Sequence, residues 1–201
     1  MSAYVYDRST LITEIRLILN ELTAVFWLDA TLIAYIDEAI RDIAIRSGCI
    51  RKIVDAHTTV NSRTVALFDY KCIAVEYNLA SLIKIVPLQT DHIKLDGTPI
   101  PQYWFEHGGN LGIEPMPPAV YPLTLYNYGS PHALTIDSQV PDLPYAFCHL
   151  IIPYVMSCAL REDDKYDAAQ MLKGVYENEL TFLIGSLLPN TPDGMDNLRF
   201  K

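Results

Sequence analysis

Hydrophobic residues recur at helical spacing in two neighbouring segments near the start of the chain. The first segment predicts a helix over residues 9–23, with Ser9 or Thr10 available to cap its first turn. Its apolar face consists of Leu11, Ile15, Ile18, Leu19 and Leu22. The second segment predicts a helix that Asp29 caps and Gly48 ends. Its apolar face consists of Leu32, Ile36, Ala39, Ile40 and Ile43. The two segments together predict an αα-hairpin.

Further along the chain, from about residue 50, the period changes to one typical of β-strands. β-branched and aromatic residues cluster or alternate in four segments, at 57–60, 64–68, 82–86 and 123–128. Glycine-rich and proline-rich turns separate these segments, and prolines suit edges and loops better than central strands. We therefore expect one small, partly open antiparallel sheet with long loops.

Helical spacing returns in the last third of the chain. Pro144 stands at a first-turn position of a helix in which Pro153 predicts a kink or a π-bulge. Residues 162–164, which are all acidic, predict the first turn of the last helix, because carboxylates favour the positive end of a helix dipole. The inward face of that helix consists of Ala169, Leu172, Tyr176, Leu180 and Leu183. Beyond Gly185 the prolines predict an extended tail.

The order of these segments defines an α+β protein that is mainly helical. We expect an N-terminal helical hairpin at residues 1–49 and an inserted β section with long loops at 50–140. Two C-terminal helices at 141–185 should pack with the hairpin as one helical core. Residues 186–201 form an extended C-terminal arm.

Composition and charge narrow the class of protein. Acidic residues outnumber basic ones 24 to 15, giving a net charge of -9, which disfavours a binder of duplex DNA. The mean hydropathy of +0.14 indicates that most of the chain folds. The four cysteines stand far apart, so we expect buried free thiols in a reducing compartment. We expect neither a secretory signal nor a membrane-spanning segment.

One pair of carboxylates is a candidate for catalytic chemistry. Glu106 and Glu114 flank a glycine turn and could act as the acid pair of a glycoside hydrolase. Two surface carboxylates on a hairpin are the alternative that we favour. The five histidines form no metal-binding spacing, and neither a phosphate loop nor a nucleophile motif is present. The sequence therefore predicts no enzyme, no cofactor and no metal.

Three blocks of sequence follow one another in a recognisable order. The first is the helical pattern at residues 27–44. The second joins the aromatic pair 103–104, the glycine turn and Pro-x-Pro at 109–117, and a strand at 123–128 that ends in tyrosine. The third is Leu-Pro at 143–144, which opens a helix and is followed by an acidic link and an alanine-containing helix. In this order they resemble the head-to-tail adaptor (head completion, or connector) proteins of tailed bacteriophages.

The sequence departs from that family at one point, where Leu67-Phe68-Asp69 stands in place of a Leu-Pro-Asp turn. The departure leaves the strand ends near Tyr70 open. The resemblance implies a structural protein of the virion neck, assembled in the host cytoplasm as a homo-oligomeric ring, by expectation a dodecamer. It implies a portal protein above the ring, a tail or nozzle component below it, and viral DNA passing through the lumen without specific binding. An acidic lumen would repel DNA phosphates, but the sequence is equally compatible with a charge that only keeps the protein soluble.

We expect the free chain to be a monomer or small oligomer that forms a ring on the portal. We also expect two docking sites. An arm that breaks helix twice yet ends in apolar residues suits a partner, so we expect it to bind the portal. These portal-binding residues are Leu187, Leu188, Pro189, Met195, Leu198, Arg199 and Phe200. Loops and aromatic anchors commonly recognise partners. The tail-binding residues are predicted as Asp91, His92, Lys94, Asp96, Tyr103, Trp104 and Phe105.

Other interpretations remain open at this point. The three aromatic residues at 103–105 are equally compatible with a sheet core. The arm is compatible with a frayed end, or with one folded back on the last helix. For the whole protein, the alternatives are a virion-associated cell-wall hydrolase or another neck or tail-completion protein.

Overall fold

A computed structural model describes residues 5–21, 23, 26–67, 71–85 and 100–187. The fold mixes helix and sheet, with 42% of residues helical and 23% in strands, which is compatible with the predicted α+β class. The chain divides into two compact units. A helical unit combines residues 1–49 with 131–201, and a β unit consists of residues 50–130.

The helical unit contains five helices among its described residues. They are α1 (Arg8–Leu19), α2 (Asp29–Ser47), α3 (Tyr145–Cys148), α4 (Ile151–Glu162) and α5 (Tyr166–Leu187). All five residues predicted for the apolar face of α2 are buried. On α1, Leu11 and Ile15 are buried, whereas Ile18 is 51% exposed. The predicted Leu22 lies outside the described residues.

The helix caps differ in part from the sequence prediction. Asp7, not Ser9 or Thr10, caps α1: its carboxylate accepts a hydrogen bond from the backbone N–H of Thr10 at 2.7 Å. This bond holds the pKa of Asp7 below its ordinary value. Asp29 is the first residue of α2 rather than its cap, because its carboxylate binds a guanidinium from α1 instead.

Both N-terminal helices end at left-handed residues. Gly48 ends α2 as predicted, with φ 61° and its N–H bonded to the carbonyl of Ala44. Helix α1 stops before residue 23, because Asn20 adopts φ 57° and bonds back to the carbonyls of Arg16 and Leu17. The predicted extent of α1 was therefore too long.

The C-terminal segment forms three helices instead of two. Proline lacks an N–H, and its ring clashes with the carbonyl four residues before it, here that of His149. The helix is interrupted at residues 149–150, and α4 begins at Ile151. This restart puts Pro153 in the first turn of α4, where an N–H has no partner within the helix. The predicted kink at Pro153 is thus a break between α3 and α4.

The acidic cluster at residues 162–164 links α4 to α5 and does not open a helix. Glu162 is the last residue of α4, and Asp164 takes a left-handed conformation with φ 55°. The backbone N–H groups of Asp163 and Lys165 bond the last carbonyls of α4. Three residues of the predicted inward face of α5, Ala169, Tyr176 and Leu180, are buried. Helix α5 runs to Leu187, two residues beyond Gly185.

Among its described residues the β unit has two four-stranded sheets, where one sheet was predicted. The strands are β1 (Arg51–His57), β2 (Thr64–Ala66), β3 (Lys71–Tyr77), β4 (Ala80–Ser81), β5 (Ile83–Lys84), β6 (Tyr103–His107), β7 (Asn110–Glu114) and β8 (Pro122–Tyr128). One sheet has the order β1-β8-β3-β4 and the other β2-β7-β6-β5. All pairs are antiparallel except β5 with β6, which is parallel.

One apolar cluster explains why two sheets form. It joins residues of both sheets: Ala56, Val65, Cys72, Val75, Leu82, Trp104, Leu111, Ile113, Leu123 and Leu125. Each alternating strand turns one apolar face inward, and the two sheets cover these faces mutually. The strand predicted at 57–60 lies instead at 51–57. Beyond its end Thr58 still faces Tyr121: its N–H donates to the carbonyl of Tyr121, and its hydroxyl accepts a hydrogen bond from the N–H of Tyr121.

Candidate functional site

The β6–β7 hairpin carries the three aromatic residues predicted to bind a tail component. Side chains alternate between the faces of a strand. On β6, Trp104 points into the apolar cluster and is fully buried, whereas Tyr103 and Phe105 lie half-buried on the other face. Of the predicted aromatic anchor, Trp104 is therefore a core residue of the β unit, and its two neighbours present surface.

Trp104 is covered at one face by a cation. The Nζ of Lys84, on the paired strand β5, lies 4.5 Å from the centroid of the indole ring. The same Nζ lies 4.0 Å from a carboxylate oxygen of Glu106. The aliphatic stem of a lysine covers apolar surface while its charge stays near water. Lys84 thus closes the core of the sheet above Trp104.

Phe105 lies across the backbone of the neighbouring strand. Gly112 stands directly opposite it on β7. A Cβ built at Gly112 would come within 2.3 to 2.7 Å of three atoms of the Phe105 ring. The ring therefore occupies the space that a side chain at residue 112 would need. Because Phe105 is half-buried and seated in this way, it forms a fixed aromatic surface.

The register of the hairpin separates the two carboxylates considered for catalysis. Residues directly opposite in an antiparallel pair share a face. Glu114 stands opposite Tyr103, whereas Glu106 is on the Trp104 face, so the two acids lie on opposite faces of the sheet. Glu106 accepts a hydrogen bond from the backbone N–H of Cys72 at 2.7 Å. Glu114 lies 3.2 Å from the Nε of Arg63. This geometry does not form the facing carboxylate pair of a glycosidase.

The cysteines are free thiols, three of them buried. Burial raises the pKa of Cys72 to about 12 and that of Cys148 to about 11. A thiol is a nucleophile or metal ligand as its thiolate. These two groups therefore stay protonated at neutral pH and act as small apolar residues.

Most residues of the two predicted docking sites lie outside the described part of the chain. On the portal side these are Leu188, Pro189, Met195, Leu198, Arg199 and Phe200. On the tail side they are Asp91, His92, Lys94 and Asp96. Leu187 is described: it ends α5 and is 51% exposed.

Helix α5 carries an exposed apolar stripe that the sequence reading overlooked. Met171, Val175 and Phe182 are 67%, 41% and 70% exposed. Their spacing puts them on one face, opposite the face that buries Tyr176 and Leu180. Apolar residues at i, i+4 and i+11, outside the predicted inward face, were the available sequence signal. We refer to these three residues as the α5 stripe.

Polar side chains tie the helices of the helical unit together. The hydroxyl of Tyr176, on α5, donates to Asp42 on α2 at 2.5 Å, and that of Tyr154, on α4, donates to Glu38 at 3.0 Å. Burial and the adjacent carboxylates raise the pKa of both phenols. Arg46 binds Glu177 of α5 and also Asp42, four residues earlier on α2, at 3.3 Å. These tyrosine contacts escape sequence analysis because they join residues more than 100 positions apart.

A shallow cavity of about 340 Å³ lies among α2, α4 and α5. The Nζ of Lys173 lies 4.2 Å from the ring centroid of Tyr154 and 4.6 Å from that of Tyr176 at this cavity. The lysine is thereby fixed over two aromatic rings. Among the residues that the structure describes, no group of histidine, cysteine and carboxylate side chains is arranged to hold a metal ion. In the same residues no helix is long and apolar enough to span a bilayer.

The described residues form two compact units, and each unit exposes apolar side chains at its surface. The chain belongs to the SU10 adaptor protein family, whose family model matches residues 6–196. The match takes in both the helical unit and the β unit. No curated protein matches the chain.

Proposed function

We propose that this chain is a structural subunit of the virion neck: a head-to-tail adaptor that forms a ring, by expectation of twelve copies, below the portal. The ring extends the DNA channel and provides the platform on which the tail or nozzle docks. The observation that carries this proposal is the adaptor family match across residues 6–196. The net charge of -9 supports it, because an acidic ring repels the passing genome.

The arm at residues 186–201 is proposed to bind the portal. The described residues of this arm, Ser186 and Leu187, are the last two residues of α5. Leu187 is exposed there, and the α5 stripe precedes it on the same helix. Apolar burial at Leu187, Leu188, Leu198 and Phe200 offsets the entropy that an extended arm loses on ordering. Several tethered arms in one ring bind with avidity even where each is weak.

Deletion of residues 189–201 tests the portal site. Thermal unfolding of the free chain should change little, while co-sedimentation with portal rings should be lost. The double variant Leu198→Ser and Phe200→Ser should weaken binding similarly, whereas Arg199→Ala, a matched change between them, should weaken it less. Undiminished portal binding by the deletion variant would refute the arm site. Loss of monomer stability instead would favour an arm folded back on α5.

The tail component is proposed to bind the β unit at residues 91–102 and 106–118, together with the half-buried aromatic residues of β6. Tyr103 and Phe105 supply the aromatic surface, with Phe105 held in place by Gly112. Replacement of residues 91–97 by a Gly/Ser loop should leave portal binding intact and block tail addition. Leu79→Ser, at a turn residue that is 97% exposed, serves as a matched surface control. Normal tail addition by the variant with the replaced segment would contradict the assignment of the tail-binding site.

Assembly on a template is the third part of the proposal. The free chain should be a monomer or small oligomer, because both units bury an apolar core of their own. Light scattering of the free protein should report no ring, and electron microscopy of the mixture with portal should show a ring stacked on a ring. A stable dodecamer at low micromolar concentration without portal would overturn assembly on the template.

A further inference from the structure

Strand β1 forms a long edge of its sheet. It pairs with β8 on one side and with no strand on the other among the described residues. The other sheet edges are short, with two residues in β4, three in β2 and two in β5. β1 has seven residues in a regular ladder. An edge of this length presents a row of backbone donors and acceptors to another strand.

The hydrogen-bond pattern identifies the backbone groups that point outward. The N–H of Gly129 bonds the carbonyl of Ile50, and the N–H of Thr58 bonds the carbonyl of Tyr121. In an antiparallel ladder, residues that bond the partner alternate with residues that do not. The even-numbered residues of β1 therefore bond β8. Arg51, Ile53 and Asp55 direct their N–H and C=O groups away from it.

The same three residues share the face of the sheet that points away from the core. Their side chains are all exposed, and Ile53 is 67% exposed. The intervening Val54 and Ala56 pack against the apolar cluster. The outer face of β1 thus reads as cation, apolar residue, anion, at spacings of two residues. This sequence of charges is complementary to itself when it is reversed.

We propose that two copies of this chain pair through β1, antiparallel and about a two-fold axis at Ile53. In that register Ile53 faces Ile53 of the second copy, and each Arg51 faces Asp55 of the other. The residues that face one another, Arg51, Ile53 and Asp55, all direct their backbone N–H and C=O groups outward, so about six backbone hydrogen bonds form between the two copies. The two sheets become one continuous eight-stranded sheet. Opposite charges directly across a ladder stabilise it.

The charges decide between this register and the symmetric register whose axis lies at Val54. An axis at Val54 would put Ile53 opposite Asp55 and Arg51 opposite His57, which pairs no opposite charges. The charged residues of β3 on this outer face follow the same order, with Lys71 at the Arg51 end and Glu76 towards the Asp55 end. The Nζ of Lys71 lies 6.0 Å from the ring centroid of Tyr128 at the Arg51 end. Glu76 accepts a hydrogen bond from Tyr126 towards the Asp55 end.

An exchange of charges tests the pairing in the full-length free protein. In sedimentation velocity experiments, the wild type should show a concentration-dependent dimer. Arg51→Asp alone and Asp55→Arg alone each put like charges opposite one another twice, so each should raise the dimer Kd at least about tenfold. The double variant restores two opposite-charge pairs and should recover the wild-type Kd. Arg41→Asp, at an exposed position of α2, is the matched control and should dimerise normally.

Cross-linking tests the register. Residues facing across the axis in a hydrogen-bonded pair have Cα atoms about 5.5 Å apart, within reach of a disulfide. Ile53→Cys should therefore form a covalent dimer on mild oxidation with diamide. Asp55→Cys should not, since its two copies would be about 13 Å apart along the strands. The wild type, whose native cysteines are mostly buried, is the background control.

Three outcomes would overturn the proposal. The first is a monomer at all concentrations up to about 100 µM, which would place the dimer Kd above that concentration. The second is failure of the charge exchange to restore pairing, and the third is faster cross-linking at residue 55 than at 53. A two-fold pair closes on itself and so differs from a ring. If Arg51→Asp still forms a ring on the portal, the adaptor proposal remains intact. If the wild type forms the dimer but no ring on the portal, only the adaptor proposal is refuted.

Discussion

In the helical unit, phenol hydroxyls on α4 and α5 donate to carboxylates on α2, whereas the β unit is joined by backbone ladders around an apolar cluster. Two fully buried aromatic residues show the contrast. Tyr176 reaches Asp42 with its hydroxyl. The Nε1 of Trp104 has no hydrogen-bond partner among the described residues. Tyr176 fixes the orientation of α5 against α2 by a hydrogen bond, whereas Trp104 contributes by filling volume in the apolar cluster.

The comparison shows that the two units should respond to different perturbations. Contacts between phenols, guanidinium groups and carboxylates depend on protonation and on the exact place of each atom. An apolar cluster depends on the volume that its side chains fill. The chain provides a reporter for each unit, because its two tryptophans are Trp27, 5% exposed in the helical unit, and Trp104 in the β unit. The predictions below use this difference.

The largest expected effect is in the core of the β unit. Trp104→Ala should lower the free energy of unfolding of that unit by about 3–5 kcal/mol, because it leaves a large cavity. Urea denaturation followed by far-UV circular dichroism, with Trp27 fluorescence reporting the helical unit, measures it. Trp104→Phe should cost less and still fold, since the indole N–H loses no partner. Equal costs for the two variants would contradict a role by volume.

The next effect belongs to the helical unit. Tyr176→Phe keeps the buried ring but removes the donor to Asp42, so it should lower the free energy of unfolding by about 1–2 kcal/mol. Tyr166→Phe is the matched control: its hydroxyl also bonds a carboxylate, that of Asp164, but the residue is 61% exposed. The control should change stability by less than about 0.5 kcal/mol. If both variants were neutral, the hydroxyl of Tyr176 would have no part in stability.

A smaller effect is expected at the start of α1. Asp7→Ala removes the cap that accepts the Thr10 N–H, and should cost about 1 kcal/mol. Asp7→Asn keeps a capping oxygen and should cost less. The hydrogen bond from the Thr10 N–H lowers the pKa of Asp7, so the stabilisation by the charged cap is present at neutral pH and lost as the pH falls through the lowered pKa. Asp7→Asn should lack this acid dependence. Acid titration of thermal unfolding measures both points.

The smallest effect concerns the Arg46–Glu177 pair. The hydrogen bond from Arg46 holds the pKa of Glu177 below its ordinary value of 4.5. A lowered acid pKa means that the stabilisation is present above the unfolded value and lost as the pH falls below it. Because both side chains are more than a third exposed, it should be less than about 1 kcal/mol. Glu177→Gln should flatten the stability profile below pH 4.5, and an unchanged profile would contradict the assignment.

Local patterns were sufficient where one element determines its own structure. The apolar face of α2, its end at Gly48 and the change from helical to strand periodicity follow from nearest-neighbour chemistry. Prediction failed where two local rules competed. Ser9 and Thr10 are acceptable caps, but Asp7 offers a carboxylate at the right place and takes the position. Pro153 interrupts the helix four residues before its own position, because its ring would clash with the carbonyl of His149.

The sequence by itself determined the helical segments, the strands near 64–66 and 122–128, the free thiols and the family, because these depend on composition and on spacing along the chain. The four predicted strand segments did not include β3, β6 and β7. Tertiary structure alone decided that the β unit has two sheets, that Glu106 and Glu114 lie on opposite faces, and that β1 is an edge. It also decided that Trp104 is core while Phe105 covers Gly112. Those outcomes depend on which strands pair and in which register, and a shift of one residue exchanges the two faces of a strand.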